Sequence, residues 1–325
     1  MNASRTILTA TALLLAGIWG AAALAQTYPY KPIKLLVPFA PGGPADLVSR
    51  IVANKLADGL GQPMVLENRS GAGGTIALET VAKSPPDGYS LVLNSLSTLC
   101  IAPHLYRNLG YDPIKSFAHI GFIGSAPSVL VVNAALPAAS LKELIDLAKS
   151  RPGQLNFGSN GNGTIPHLAA VYFQSLTGVK IIHVPYKGVA PALNDVIAGQ
   201  IQMLFVVSYG LDQYIRGGKL RALAVASSKR IATLPDVPTA AEGGLPGFET
   251  YTWFGMAAPQ GTPSGIIQRL NAELNAALSA KEVSDLLATQ GLESRATTPE
   301  QFIEFIGSES EKWSRIVKAA GIKTE

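Results

Sequence analysis

The sequence predicts an α/β protein built as two lobes around a hinged cleft. Short apolar or β-branched runs of strand length alternate with segments of helical periodicity along most of the chain, a pattern typical of parallel sheets flanked by helices. This alternation occurs in two successive series. We therefore assign residues 26–124 to lobe 1, 125–228 to lobe 2, and 229–325 to a return to lobe 1 with C-terminal helices. The cleft between the lobes is the expected ligand site.

The first 25 residues carry the pattern of a secretory signal peptide. Arg5 precedes an apolar run from Ile7 to Leu24, and Ala23-Leu24-Ala25 is a small-x-small cleavage pattern. The run is nearly long enough to be a membrane anchor instead. Its glycines and its alanine-rich end favour cleavage after Ala25, so we expect an exported mature chain.

Composition and motifs argue against several classes of protein. The net charge of +4 is mild and no Lys/Arg run is present, so nucleic acid is not an expected partner. The single cysteine, Cys100, forms no intrachain disulfide, and the four histidines lack metal-ligand spacing. No nucleophile elbow, phosphate-binding P-loop or dinucleotide fingerprint occurs. We expect no metal, no cofactor and no enzymatic activity.

The stretch Val37–Asp46 opens lobe 1 as a strand end, a glycine turn and a helix start. Gly42 and Gly43 permit a tight turn and close approach of a ligand, Pro44 suits the first helical position, and Asp46 falls in the first turn. Such a junction presents unpaired N–H groups that suit an anion. By itself the stretch somewhat favours a plain corner that binds nothing, since many α/β proteins turn in this way.

The remaining elements follow from hydrophobic period and turn residues. Lobe 1 has further predicted strands at 63–69, 89–93 and 117–124. The polar run Asn94–Thr98 follows the second of these, at the same sheet edge as the opening turn. Lobe 2 has predicted strands at 129–133, 155–157, 180–186, 201–207 and 220–226. Its predicted helices begin at Ser140 and after Thr164, and two further helices cover 190–198 and 209–216. A surface connection at 233–248, a strand at 251–257 and helices at 264–278, 281–290 and 299–318 complete the chain.

A second glycine loop, Gly158–Thr164, resembles the first in kind. It follows a strand, opens a helix and adds neutral hydrogen-bonding side chains. His167, three residues into that helix, is either a packing residue or a donor to a ligand carboxylate. Tyr186 follows another strand of the lobe and is expected in the cleft wall.

Motifs along the whole mature chain resemble the Bug receptor family, the extracytoplasmic solute receptors of tripartite tricarboxylate transporters. They are Val37–Asp46, Glu67–Gly74, Pro86–Tyr89, Gly158–His167, His183–Gly188, Leu220–Ala224, Leu234–Thr239 and Ala257–Pro263. The resemblance implies a type II periplasmic binding protein fold, a periplasmic location, a small organic carboxylate as ligand and membrane transporter subunits as partners. We expect a monomer.

The resemblance also implies a set of ligand-binding residues. Main-chain groups of Phe39, Ala40, Pro41, Gly42 and Gly43 would hold a carboxylate, with Asp46 bracing the turn. Further contacts would come from Ser95, Thr98, Ser159, Asn160, Thr164, His167 and Tyr186. Where family members often carry an acid after the strand Phe, this chain has Val206 after Phe205. We therefore expect Val206 to select a ligand with an apolar or aromatic portion rather than an amino acid.

Two other functions remain open from sequence. The receptor could feed a sensor or regulator instead of a transporter. An exported hydrolase on the same scaffold would need Ser159 or Ser95 paired with His167.

Overall fold

The computed structural model describes residues 28–208 and 210–319; the predicted signal peptide lies outside these ranges. The strands are β1 (Ile33–Val37), β2 (Met64–Asn68), β3 (Ser90–Ser95), β4 (Phe117–Pro127), β5 (Val129–Asn133), β6 (Asn156–Ser159), β7 (Ile182–Pro185), β8 (Met203–Val206), β9 (Leu220–Val225), β10 (Tyr251–Pro259) and β11 (Glu293–Ser294). The helices are α1 (Pro44–Leu60), α2 (Thr75–Ala82), α3 (Ala102–Leu105), α4 (Leu141–Ser150), α5 (Ile165–Thr177), α6 (Val189–Ile197), α7 (Leu211–Arg216), α8 (Ser264–Ser279), α9 (Lys281–Thr289) and α10 (Pro299–Ala319).

The strands form two sheets, one in each lobe. Lobe 1 has the order β11-β4-β10-β3-β1-β2, and lobe 2 has the order β7-β6-β8-β5-β9. As predicted, β1 runs parallel to both β2 and β3, and β6 runs parallel to β7 and β8. The carboxyl ends of these parallel strands face the space between the lobes, which is where open α/β sheets bind ligands.

Each sheet is covered on both faces by apolar side chains. In lobe 1, α1 and α8 bury Val48, Leu56 and Leu274 on one face, and Trp253 and Phe302 pack on the other. Lobe 2 has corresponding clusters, whose members include Phe157, Phe173 and Phe205 on one face and Val131, Val196 and Leu204 on the other. Each sheet thus has a core on both of its faces, and Ile165, Leu168 and Val207 of lobe 2 pack with the lobe 1 clusters at the cleft.

The two crossings between the lobes lie later in the chain than the sequence suggested. Strand β4 stays in the lobe 1 sheet to Pro127, so the first crossing is at Ser128 rather than at 124–125. Residues 229–248 pack on lobe 2 through Leu234, Leu245 and Phe248, so the return occurs at Thr250 rather than at 229. Buried apolar side chains inside this Pro- and Gly-rich segment anchor it where a solvated connection was expected.

The predicted start of the helix at Ser140 is confirmed. The Ser140 hydroxyl accepts a hydrogen bond from the Glu143 main-chain nitrogen (3.2 Å), capping α4. Residue 209, placed in a helix from sequence, is outside the described residues, and α7 begins at Leu211. Among the helices of residues 28–208 and 210–319, none combines the length and apolarity that crossing a membrane requires.

Candidate functional site

A cavity lies between the lobes where the strands β1, β3, β6 and β8 end. The volume open to the centre of a water molecule is about 50 Å³. Its wall is formed by Phe39, Gly43, Pro44, Ala45, Ser95, Ser97, Ser128, Asn160, Ile165, Pro166, Val189, Phe205, Val206, Val207, Thr252 and Phe254. Every one of these residues is uncharged.

Three helices direct their N-termini at this cavity. The first residues of α1, α5 and α6 all belong to its wall. The ends of α1 and α6 lie close together, since a Cβ built on Gly43 would lie 3.7 Å from the Cβ of Val189. The first N–H groups of a helix lack intrahelical acceptors and carry a partial positive charge. The cavity is therefore electropositive without a cationic side chain.

The first glycine loop is held in place by Asp46, which is only 2% exposed. Its carboxylate accepts hydrogen bonds from the Gly42 nitrogen (3.1 Å), from Arg50 (2.9 and 3.1 Å) and from Asn68 (3.0 Å). Burial pushes the pKa of Asp46 upward, but these hydrogen bonds outweigh it and leave the pKa below its usual value. Asp46 is not part of the cavity wall, and its hydrogen bond to Gly42 ties the turn to α1.

Two N–H groups of the same loop already donate hydrogen bonds within the protein. The Ala40 nitrogen donates across the cleft to the Lys187 carbonyl at 3.3 Å, and the Gly42 nitrogen is taken by Asp46. Ala40, Pro41 and Gly42 do not line the cavity, whereas Phe39 and Gly43 do. The N–H groups left for an anion are those of Gly43 and of the first turn of α1, which includes Ala45.

The end of β3 contributes one predicted residue and one that the sequence reasoning missed. Ser95 lines the cavity, while the Thr98 hydroxyl donates to the Ser95 carbonyl (3.1 Å) and faces inward. Ser97 also lines the cavity, and its hydroxyl accepts a hydrogen bond from the Ile165 nitrogen of the other lobe (3.2 Å). The first N–H of α5 is thus capped by a side chain of lobe 1.

Polar side chains of the second glycine loop form hydrogen bonds with the loop itself and with His183. The Thr164 hydroxyl donates to the Gly161 carbonyl (2.7 Å), and Ser159 lies 2.6 Å from Nε2 of His183. The Nδ1 atom of His167 accepts from the Gly163 nitrogen (3.1 Å). Of the predicted residues of this loop, only Asn160 lines the cavity.

The His167 and His183 rings stack, with their centroids 4.1 Å apart. Burial lowers the pKa of His167 to about 4, and burial together with the neighbouring imidazole lowers that of His183 to about 3. Both rings are therefore neutral near pH 7.

The pair that the hydrolase hypothesis required, Ser159 or Ser95 with His167, is not formed. His167 is bonded to Gly163, and Ser159 is paired with His183 instead. Neither Ser159 nor either histidine lines the cavity. Tyr186 likewise lies off the wall, with its hydroxyl donating to Asp195 at 2.6 Å.

The far wall of the cavity comes from strands β8 and β10. Of its residues, only Val206 was assigned to the site from sequence. Phe205, Val206 and Val207 extend along the end of β8, and Thr252 and Phe254 come from β10. Val206, placed here from sequence, is 4% exposed. The contribution of β10 depends on its insertion between β3 and β4, and no local motif signals that pairing.

The two lobes, the enclosed cleft and the helix ends directed into it define a two-lobed solute-binding protein. Residues 48–322 match the model of the tripartite tricarboxylate transporter family receptor, so the chain belongs to that family. The protein BugT of Bordetella pertussis is 41% identical over 300 residues, covering 92% of each chain. These matches confirm the predicted family.

Solved structures of related proteins confirm the predicted fold class. The R. palustris protein Rpa4515, solved with adipate, has a TM-score of 0.88 at 36% identity, covering 91% of this chain and 99% of its own. MatC of Rhodopseudomonas palustris, solved with bound malate, has a TM-score of 0.85 at 33% identity and covers 89% and 100%.

Proposed function

We propose that this chain is a periplasmic, monomeric receptor that closes over a small organic carboxylate and delivers it to the membrane subunits of a tripartite transporter. The observation that carries the proposal is an uncharged cavity onto which three helix N-termini converge. Helix N-termini bind anions without a cationic side chain. The adipate and malate of the two related structures are ligands of this chemical class.

In this proposal the carboxylate accepts hydrogen bonds from the main-chain nitrogens of Gly43 and Ala45. Ser95 and Asn160 supply neutral polar contacts from the two lobes, and Phe39 and Val206 contact the body of the ligand. The other residues implied by the family resemblance act indirectly. They shape the loops that carry these contacts: Ala40, Pro41, Gly42, Asp46, Thr98, Ser159, Thr164, His167 and Tyr186.

Calorimetric titration of the purified chain with aliphatic and aromatic carboxylates tests this function. The panel includes aspartate and glutamate, and the primary amide of each carboxylate serves as a neutral control. We expect one-to-one binding of at least one carboxylate and no binding of its amide. Equal binding of acid and amide, or no binding across the panel, would contradict the proposal. Binding of aspartate or glutamate alone would contradict the predicted apolar body of the ligand.

A further inference from the structure

We propose that Lys229 and Glu293 form an ion pair across a groove behind the hinge when the lobes open, and that this pair sets the affinity for the ligand. Both residues lie outside the cavity wall, so they act on the equilibrium between open and closed lobes. The inference rests on the proposed function and extends it from the cavity to the control of its opening.

The groove lies on the opposite side of the interlobe crossings from the ligand cavity. Successive residues of an extended chain point to opposite sides. At the first crossing Ser128 lines the cavity and Pro127 lines the groove. At the second crossing Thr252 lines the cavity and Tyr251 lines the groove. A rotation about these crossings that widens the cavity therefore narrows the groove.

The two walls of the groove belong to different lobes. Residues 227–233, which follow β9, form the lobe 2 wall, and Glu293 lies in the lobe 1 wall beside Ser125 of β4. In the closed arrangement the groove offers about 620 Å³ to the centres of water molecules, against about 50 Å³ in the cavity. The groove thus has ample room to narrow as the lobes open.

Lys229 and Glu293 are the charged side chains of the groove that have no ionic partner in the closed arrangement. Within the described residues of the chain, neither forms an ion pair. The other cation of the groove, Arg230, is bonded to Glu242 of its own lobe at 2.9 and 3.2 Å. Lys229 and Glu293 carry opposite charges on opposite walls and are both exposed. They can therefore pair, with little loss of hydration, when the groove narrows.

An ion pair that forms only in the open state weakens the binding of a ligand that requires the closed state. The apparent dissociation constant rises as the fraction of closed protein falls. An exposed ion pair shifts such an equilibrium by about two- to fivefold. Removal of the pair should therefore strengthen ligand binding by about that factor. Structural damage would weaken binding instead, so the direction of the effect separates the two explanations.

Pulsed electron paramagnetic resonance on the ligand-free chain tests the pair without any ligand. Spin labels at Lys83→Cys on α2 and Ser175→Cys on α5 report the separation of the lobes, because these helices meet across the cleft in one apolar cluster. Both positions are exposed, whereas Cys100 is fully buried and inaccessible to the label.

The distance distributions give the ratio of open to closed protein at low salt. We expect Lys229→Glu to lower this ratio by at least about twofold, because two carboxylates then face each other in the narrowed groove. The charge swap Lys229→Glu, Glu293→Lys should restore the ratio. Lys219→Glu, an exposed lobe 2 position outside the groove, is the matched control and should leave it unchanged. Equal ratios in Lys229→Glu and this control, or a ligand-free chain with only the closed separation, would overturn the inference.

Calorimetric titration with adipate and with malate measures the consequence for binding. We expect Lys229→Gln to bind the accepted probe about two- to fivefold more tightly than the unmodified chain, and the charge swap to return the affinity to its original value. The gain should shrink in about 0.5 M salt, where exposed charges are screened. Unchanged or weaker binding by a folded Lys229→Gln protein would contradict the inference and leave the proposed function intact. If no carboxylate binds to the unmodified chain, the proposed function fails, and the ligand-free distance distributions still decide whether the ion pair forms.

Discussion

The carboxylate of Asp46 organises the first glycine loop at the scale of single residues. It is nearly inaccessible to solvent and accepts hydrogen bonds from the main chain of Gly42 and from the side chains of Arg50 and Asn68. Gly42 has φ near +80°, a conformation that glycine adopts readily because it has no side chain. Asp46 thus connects helix α1, strand β2 and the turn, and through them it sets the position of Gly43 at the cavity.

Replacement of Asp46 by Asn should destabilise the protein and weaken ligand binding. The amide keeps the size of the side chain but presents an NH₂ group to donors and leaves Arg50 without its partner. We expect the free energy of unfolding in urea to fall by about 1.5–3 kcal/mol, the typical value for hydrogen bonds to a charged group. Asp58→Asn, an exposed position of the same helix, is the control. Similar stability of the two variants would show that Asp46 does not brace the loop.

The paired histidines behind the second glycine loop make that element sensitive to pH. Their pKa values in the folded protein, about 4 for His167 and about 3 for His183, lie below the ordinary value of about 6.5. The unfolded chain therefore binds more protons in this range, and stability is lost as the pH falls from about 6.5 toward 4. Protonation of His167 at Nδ1 would also remove the acceptor of the Gly163 nitrogen.

We expect the free energy of unfolding to decrease as the pH falls from 7.5 to 5.5, with a slope of up to about 1.4 kcal/mol per pH unit for each histidine. Urea denaturation at several pH values measures this slope. The double variant His167→Gln, His183→Gln should show a smaller slope, since both proteins retain His104 and His119. Equal slopes would mean that the stacked pair does not titrate as the structure indicates.

Most elements could be predicted from sequence, whereas much of the cavity wall could not. Strands such as β1 and β8 are marked by short apolar runs, and the capping box at Ser140 marks the start of α4, because these signals are local. The wall contributed by Ser97 and Phe254 depends on which strands pair and on how far the lobes close. Those contacts are set by residues distant in the chain, so no spacing in the sequence reports them.

At the scale of the whole molecule, hydrogen bonds at the edge of the cavity hold the two lobes together. The Ala40 nitrogen bonds to Lys187, the Ser97 hydroxyl accepts from Ile165, and the Tyr106 hydroxyl donates to the Asn162 carbonyl (3.2 Å). The two crossing segments are tied together on the opposite side, where the Ser128 nitrogen donates to the Thr250 carbonyl (2.8 Å). An opening of the lobes about these crossings would break the hydrogen bonds at the cavity edge and widen access to the cavity.

Gly188 offers a direct test of this closure. Its φ of 179° is extended backbone that alanine adopts without strain. A Cβ at this position would nevertheless lie 2.8 Å from the Cβ of Ala40 and 3.2 Å from its nitrogen. Both contacts cross the cleft, so Gly188→Ala would hinder the closed arrangement while leaving the core of each lobe unchanged.

For Gly188→Ala we expect affinity for the preferred carboxylate to fall by about tenfold, the equivalent of about 1.4 kcal/mol, with little change in the midpoint of urea unfolding. Calorimetry measures the affinity, and small-angle scattering at saturating ligand should show a larger radius of gyration than for the unmodified chain. Gly265→Ala, where the added methyl group meets no atom within 4 Å, is the matched control. If Gly188→Ala binds and scatters like this control, the ligand-bound lobes do not approach at Ala40, and the closed cleft is not the binding conformation.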